Sequence, residues 1–92
     1  MAPLSETLIS ERLKKVPEWS LENGEIVRLF TFADFAGAME FVNKVAEKAE
    51  AAAHHPDFDI RYNKVRLALV SHDAGGLTIR DFELAESIDA LA

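Results

Sequence analysis

The 92-residue chain contains no cysteine. A disulfide framework and thiolate chemistry are therefore excluded, and a reducing, cytoplasmic location is expected. Glycine and proline are sparse, at four and three residues. No phosphate-cradling glycine loop is present, and Gly75-Gly76 reads as the lead-in to a helix. No apolar run approaches the ~20 residues of a membrane span, so no membrane association is expected. Positive charge is in the minority: ten Lys and Arg stand against sixteen Asp and Glu, for a formal net charge of −6. Such a surface repels phosphate backbones and disfavours direct nucleic-acid binding. Met1 to Ser10 has neither a basic start nor an apolar core, so it does not read as a secretion signal. Repeats, low-complexity tracts and linkers are also missing, and residues 1–92 are expected to form one domain.

What is present is a set of changing periodicities, each bounded by a punctuation mark. Ser5 is placed to cap a helix running to about Lys15. Leu4 and Ile9 have the spacing of a hydrophobic staple, and Leu8, Ile9, Leu13 and Val16 fall on its apolar side. Pro17 discourages its continuation. Trp19 to Glu22 reads as a strand, Asn23-Gly24 as a two-residue hairpin turn, and Glu25 to about Phe32 as the return strand. Asp34 to about Ala53 is the longest helical pattern. Phe35, Met39, Val42, Ala46 and Ala49 recur at helical spacing, with Phe41 and Val45 widening the stripe. Phe58, Ile60 and Tyr62 alternate with polar residues, which predicts a strand with one buried face. Asn63-Lys64 turns the chain into a partner strand through Val65, Leu67 and Leu69. Thr78 and Asp81 have the spacing of a short capping box at the head of a last helix. The order α-β-β-α-β-β-α, with two hairpins, predicts an α+β fold. Its two layers are one four-stranded antiparallel sheet and helices packed on one face.

All three histidines, His54, His55 and His72, fall at predicted element ends. Imidazole titrates near neutrality, so a cleft holding two or three of them is equipped for general acid-base work. Loss of water from a carbon that bears an amine needs that equipment. One group protonates the departing hydroxyl, and another takes a proton from the nitrogen. No cofactor or metal is required. Each residue also has a plainer explanation. The His pair can serve the helix dipole, Pro56 can merely stop the helix, and Asp81 can be only a cap. Glu50 can pair with His54 one turn on, and Trp19 and Tyr62 can be core. A three-histidine zinc site is a sharper rival. It is disfavoured because neighbouring side chains of an extended His54-His55 segment point apart.

The run Glu50, three residues, His54-His55-Pro56, five residues, Tyr62, nine residues, His72, eight residues, Asp81 resembles the signature of the pterin-4a-carbinolamine dehydratases. Thr31 to Phe35, Tyr62 to Val65, Gly76 to Thr78 and the Trp19 strand resemble the family as well. One departure is Ser71-His72-Asp73, where threonine and glutamate often flank the histidine. The resemblance implies dehydration of 4a-hydroxytetrahydrobiopterin or a related pterin, recycling the cofactor of an aromatic amino-acid hydroxylase. It implies His54 and His72 as the main acid-base pair, with His55 helping to hold substrate. It further implies a pterin pocket along His54 to Pro56 and Ser71, His72, Asp73 and Ala74, with Trp19 as a further pocket residue. Glu50 and Asp81 would orient histidines or caps. A homodimer or homotetramer is implied, and no metal or other cofactor. The alternative on the same fold is a non-catalytic module, a dimerisation and transcription cofactor or an assembly factor.

Overall fold

The structure, a computed structural model, describes residues 2–92; Met1 lies outside the described residues. The elements follow as α1 (Glu6–Leu13), β1 (Ser20–Glu22), β2 (Glu25–Thr31), α2 (Phe35–Ala52), β3 (Asp57–Arg61), β4 (Lys64–Leu69) and α3 (Ile79–Asp89). A 3₁₀ turn, His72–Ala74, joins β4 to α3. The strands form one antiparallel sheet in the order β1-β2-β4-β3. The predicted α+β architecture is therefore what the chain adopts.

Local chemistry explains the joints. Asn23 and Gly24 take φ of 50° and 81°, the left-handed pair that a two-residue hairpin needs. Asp34 caps α2, its carboxylate accepting from the Gly37 N–H at 2.8 Å. Ser5 caps α1 in the same way, through Leu8. The capping box expected at the head of α3 is present.

The central strands carry the core. Ile26 pairs with Leu69, and Phe30 with Val65, across β2 and β4. Their shared face packs against Ala38, Phe41 and Val45 of α2 and Phe82, Ala85 and Ile88 of α3. The Phe41 ring lies 4.6 Å from Phe30 and 5.0 Å from Phe32, centroid to centroid. Truncating Phe41 would cost about 3–5 kcal/mol, from lost burial plus the cavity left behind.

Several expectations are corrected. Leu8 is exposed and α1 buries no residue fully, although Val16, three residues beyond its end, is completely buried. The buried stripe of α2 is Ala38, Phe41, Val45 and Ala49, while Phe35 and Ala46 face outward. A helix that covers a narrow sheet needs only one row of contacts, so the wider apolar set is not all used. The β3–β4 turn is Tyr62-Asn63, one residue earlier than expected, with Tyr62 at φ 53°. Phe58, Ile60 and Tyr62 do not form a buried face; Tyr62 is 66% exposed. Their strand lies at the sheet edge, paired only with β4, outside the cover that the helices give the central strands.

Candidate active site

The end of α2 sets the position of the first two histidines. Ala53 takes a left-handed conformation, φ 52° and ψ 38°. Its N–H donates to the Glu50 carbonyl, and the His54 N–H donates to the Ala49 carbonyl at 3.1 Å. These two bonds are those of a Schellman closure, with alanine where glycine is usual. The chain then leaves the helix, so that His54 turns inward and His55 outward. Pro56 is buried and begins the approach to β3.

The third histidine comes from the other side of the fold. β4 runs out at Leu69, and Ser71 bridges to Gly76 around the 3₁₀ turn that starts with His72. The N-terminal segment braces this loop. Leu4 donates its N–H to the Leu77 carbonyl at 2.8 Å, and a Cβ on Gly76 would come within 3.0 Å of Pro3. The two stretches meet. His54, His55 and His72 line one hollow of about 300 Å³, together with Ala53, Val70, Asp73 and Arg80.

A buried polar network sits behind His54. The Asp81 carboxylate is fully buried. One of its oxygens, Oδ1, lies 2.5 Å from His54 Nε2. The other, Oδ2, accepts from the Ser71 hydroxyl and the Thr78 N–H, both at 2.9 Å. The Ser71 hydroxyl is thereby used as a donor, so the Thr78 hydroxyl, 2.8 Å away, donates to it. All three contacts on Asp81 are ones that a carboxylate, an acceptor only, can take. With Asp81 as a carboxylate, His54 donates to it from Nε2, and Nδ1 is the ring nitrogen left over. Asp81 is a cap and a histidine clamp at once. His55 has a different partner: its Nε2 meets the Glu50 carboxylate, and both side chains are exposed. Glu50 thus engages His55 and not His54.

The other residues expected in the pocket are placed differently. Ser71 lies behind the hollow as part of the network, and neither Pro56 nor Ala74 is on the hollow's wall. Trp19 sits in the core, edge-on to Phe30, and its indole N–H donates to Asp89 at 2.8 Å. Among the described residues, no three histidines, cysteines or carboxylates are grouped so as to hold a metal ion.

A sequence model of the family described as pterin 4 alpha carbinolamine dehydratase matches residues 2–91. The chain belongs to the pterin-4-alpha-carbinolamine dehydratase family. A protein provisionally named as such a dehydratase in Acidobacterium capsulatum is 66% identical over 99% of both chains. One of the same provisional name in Chloroflexus aurantiacus is 62% identical over 99% of this chain and 98% of its own. A crystal structure titled transcriptional coactivator/pterin dehydratase from Brucella melitensis superposes with a TM-score of 0.94. It is 33% identical and covers 98% of each chain. A pterin dehydratase-like protein described as a RuBisCO assembly factor shares the fold, with a TM-score of 0.66 at 21% identity over 80% of this chain and 86% of its own.

For a pterin dehydratase-family chain, the residue that sequence reasoning missed is Arg80. Its Nη2 donates to Asp73 at 2.7 Å across the rim of the hollow. That hydrogen bond, above all, holds the Asp73 carboxyl below its ordinary value, and the guanidinium charge adds to the effect. A signal for Arg80 existed. It is the second residue of α3, where the helix macrodipole disfavours a cation, so a reason outside the helix was to be expected.

Proposed function

We propose that this protein dehydrates a 4a-hydroxytetrahydropterin to the quinonoid dihydropterin. The observation that carries the reading is the meeting of His54, His55 and His72, from two separate stretches of chain, around one hollow. Family membership supports the substrate class.

In the reaction the C4a–O bond breaks and the hydroxyl leaves as water, taking a proton. The adjacent N5–H loses its proton, and its electron pair becomes the C4a=N5 double bond. His54 is suited to act as the base, because Asp81 occupies Nε2 and leaves the Nδ1 lone pair available. His72 is suited to deliver the proton to the departing oxygen. His55, held by Glu50, orients the ring. Proton balance is closed within the site, since one group gains what the other gives. Asp73 and Arg80 border the hollow and contact the ligand, while Ser71 acts from behind it through Asp81. The product is the oxidised form that a reductase returns to the tetrahydro cofactor of an aromatic amino-acid hydroxylase.

Self-association belongs to the same reading. The β3 edge has an unpaired backbone and exposed Phe58 and Ile60, which suits a second copy in a homodimer or homotetramer. Sedimentation would give its size. The intact histidine set favours catalysis over a purely structural module.

The test is formation of quinonoid dihydropterin from freshly generated 4a-hydroxytetrahydropterin. Removing an acid-base group should cost about 100-fold or more, so His54→Ala and His72→Ala should each fall by that factor. Wild-type rates in both folded variants would remove the assigned roles.

A further inference from the structure

A second hollow, larger than the one that holds the three histidines, lies beside it. A groove of about 420 Å³ runs between the last turns of α2 and the first turns of α3. It shares His54 and Arg80 with the histidine hollow, so the two adjoin at those side chains. A bicyclic ring seated among the histidines would fill much of a 300 Å³ space. A substituent on that ring would then have to leave past His54 or go into solvent.

The groove has an unused cationic character on a chain of net charge −6. Arg80 spends Nη2 on Asp73, which borders the histidine hollow and not the groove. Its side chain is partly exposed, at 31%, and lines the groove. A guanidinium has five N–H donors in a planar fork, so one bond to Asp73 leaves others for a second carboxylate. Lys48 lies on the same wall, and no ion pair engages it among the described residues. Ala51, Ala52 and Leu84 supply the apolar floor. Glu83 is the one anion on the wall. It is exposed, so it is free to turn outward.

We propose that this groove is a subsite for an acidic side chain carried on the pterin, with Lys48 and the Arg80 guanidinium as the groups that recognise its carboxylate. The proposal rests on the dehydratase reading and extends it to substrate choice. A pterin with a neutral side chain occupies the histidine hollow alone. One with a carboxylate-bearing side chain also engages the groove and binds more tightly.

The experiment is calorimetry with two unreactive dihydropterins. One is 7,8-dihydrobiopterin, whose dihydroxypropyl chain is neutral; the other is 7,8-dihydrofolate, whose chain ends in carboxylates. Wild type should prefer dihydrofolate by at least about tenfold, the value of one charge-assisted contact. Raising the ionic strength should shrink the preference. Lys48→Met should bring the preference to within about threefold, and Arg80→Met, which removes the guanidinium, should lower it as well. Lys44→Met, one helical turn away and outside the groove, should leave it as in wild type. Equal affinity for the two ligands in wild type, or a preference untouched by Lys48→Met, would overturn the subsite. If dihydrobiopterin binds and His54→Ala abolishes its binding while the preference is absent, the subsite alone fails. If neither ligand binds, the dehydratase reading fails with it.

Discussion

His54 and His55 are neighbours in the chain and border the same hollow, yet they are held in opposite ways. His54 is buried and its partner Asp81 is fully buried, anchored in turn by Ser71 and Thr78. His55 is 62% exposed at its side chain, and its partner Glu50 is 75% exposed. The difference teaches where positioning comes from. A contact in water is cheap to break and screened by salt. A contact among desolvated groups is costly to break, because each loss leaves other groups unpaired. His54 is therefore fixed in ring orientation and tautomer, whereas His55 is merely restrained.

Mutations can break this contrast from its strongest point to its weakest. Asp81→Ala should have the largest effect. It leaves the His54 Nε2, the Ser71 hydroxyl and the Thr78 N–H without their acceptor and removes the α3 cap. The expected loss is about 3–5 kcal/mol by urea unfolding. Ser71→Ala removes one donor to Asp81 and strands the Thr78 hydroxyl, so unfolding should show a loss of about 1–2 kcal/mol. Dehydration rates would then tell whether a loosened Asp81 still holds His54. Glu50→Gln should change stability by less than about 0.5 kcal/mol, since its partner contact is exposed. A loss as large as that of Ser71→Ala would mean that the two histidines are held alike after all. Ala53→Gly should be comparably small, and in the other direction. Relief of the left-handed alanine, offset by glycine's greater chain entropy, should stabilise by roughly 0.5 kcal/mol in thermal unfolding.

Much of the fold was legible because local chemistry wrote it. Asn23-Gly24 at positive φ, Asp34 and Ser5 as caps, and the Thr78–Asp81 capping box all act within a few residues. The order of elements followed from those signals and from hydrophobic period. The misread parts depended on what lay opposite. The alternation of Phe58, Ile60 and Tyr62 announced a strand, but no local signal says whether a strand is central or at an edge. In the site, the three histidines and the Glu50 and Asp81 carboxylates were visible from spacing. The pairing of those carboxylates was not, because the turn of the chain at Ala53 decides which imidazole faces which acid.

The two charges at the ends of α3 mark the boundary between these kinds of information. Arg80 lies in the first turn and Asp89 in the last, each against the helix macrodipole. Tertiary partners account for both. Arg80 reaches Asp73, and Asp89 accepts from Trp19 and from Arg28 at 2.6 Å. The sequence by itself determined the secondary elements, their caps and turns, and which residue types were available for proton transfer, since each depends on interactions a few residues long. Only the tertiary structure decided that Asp81 clamps His54, that Trp19 is core, and that Arg80 stands between two hollows. Those outcomes require groups far apart in the chain to be desolvated together.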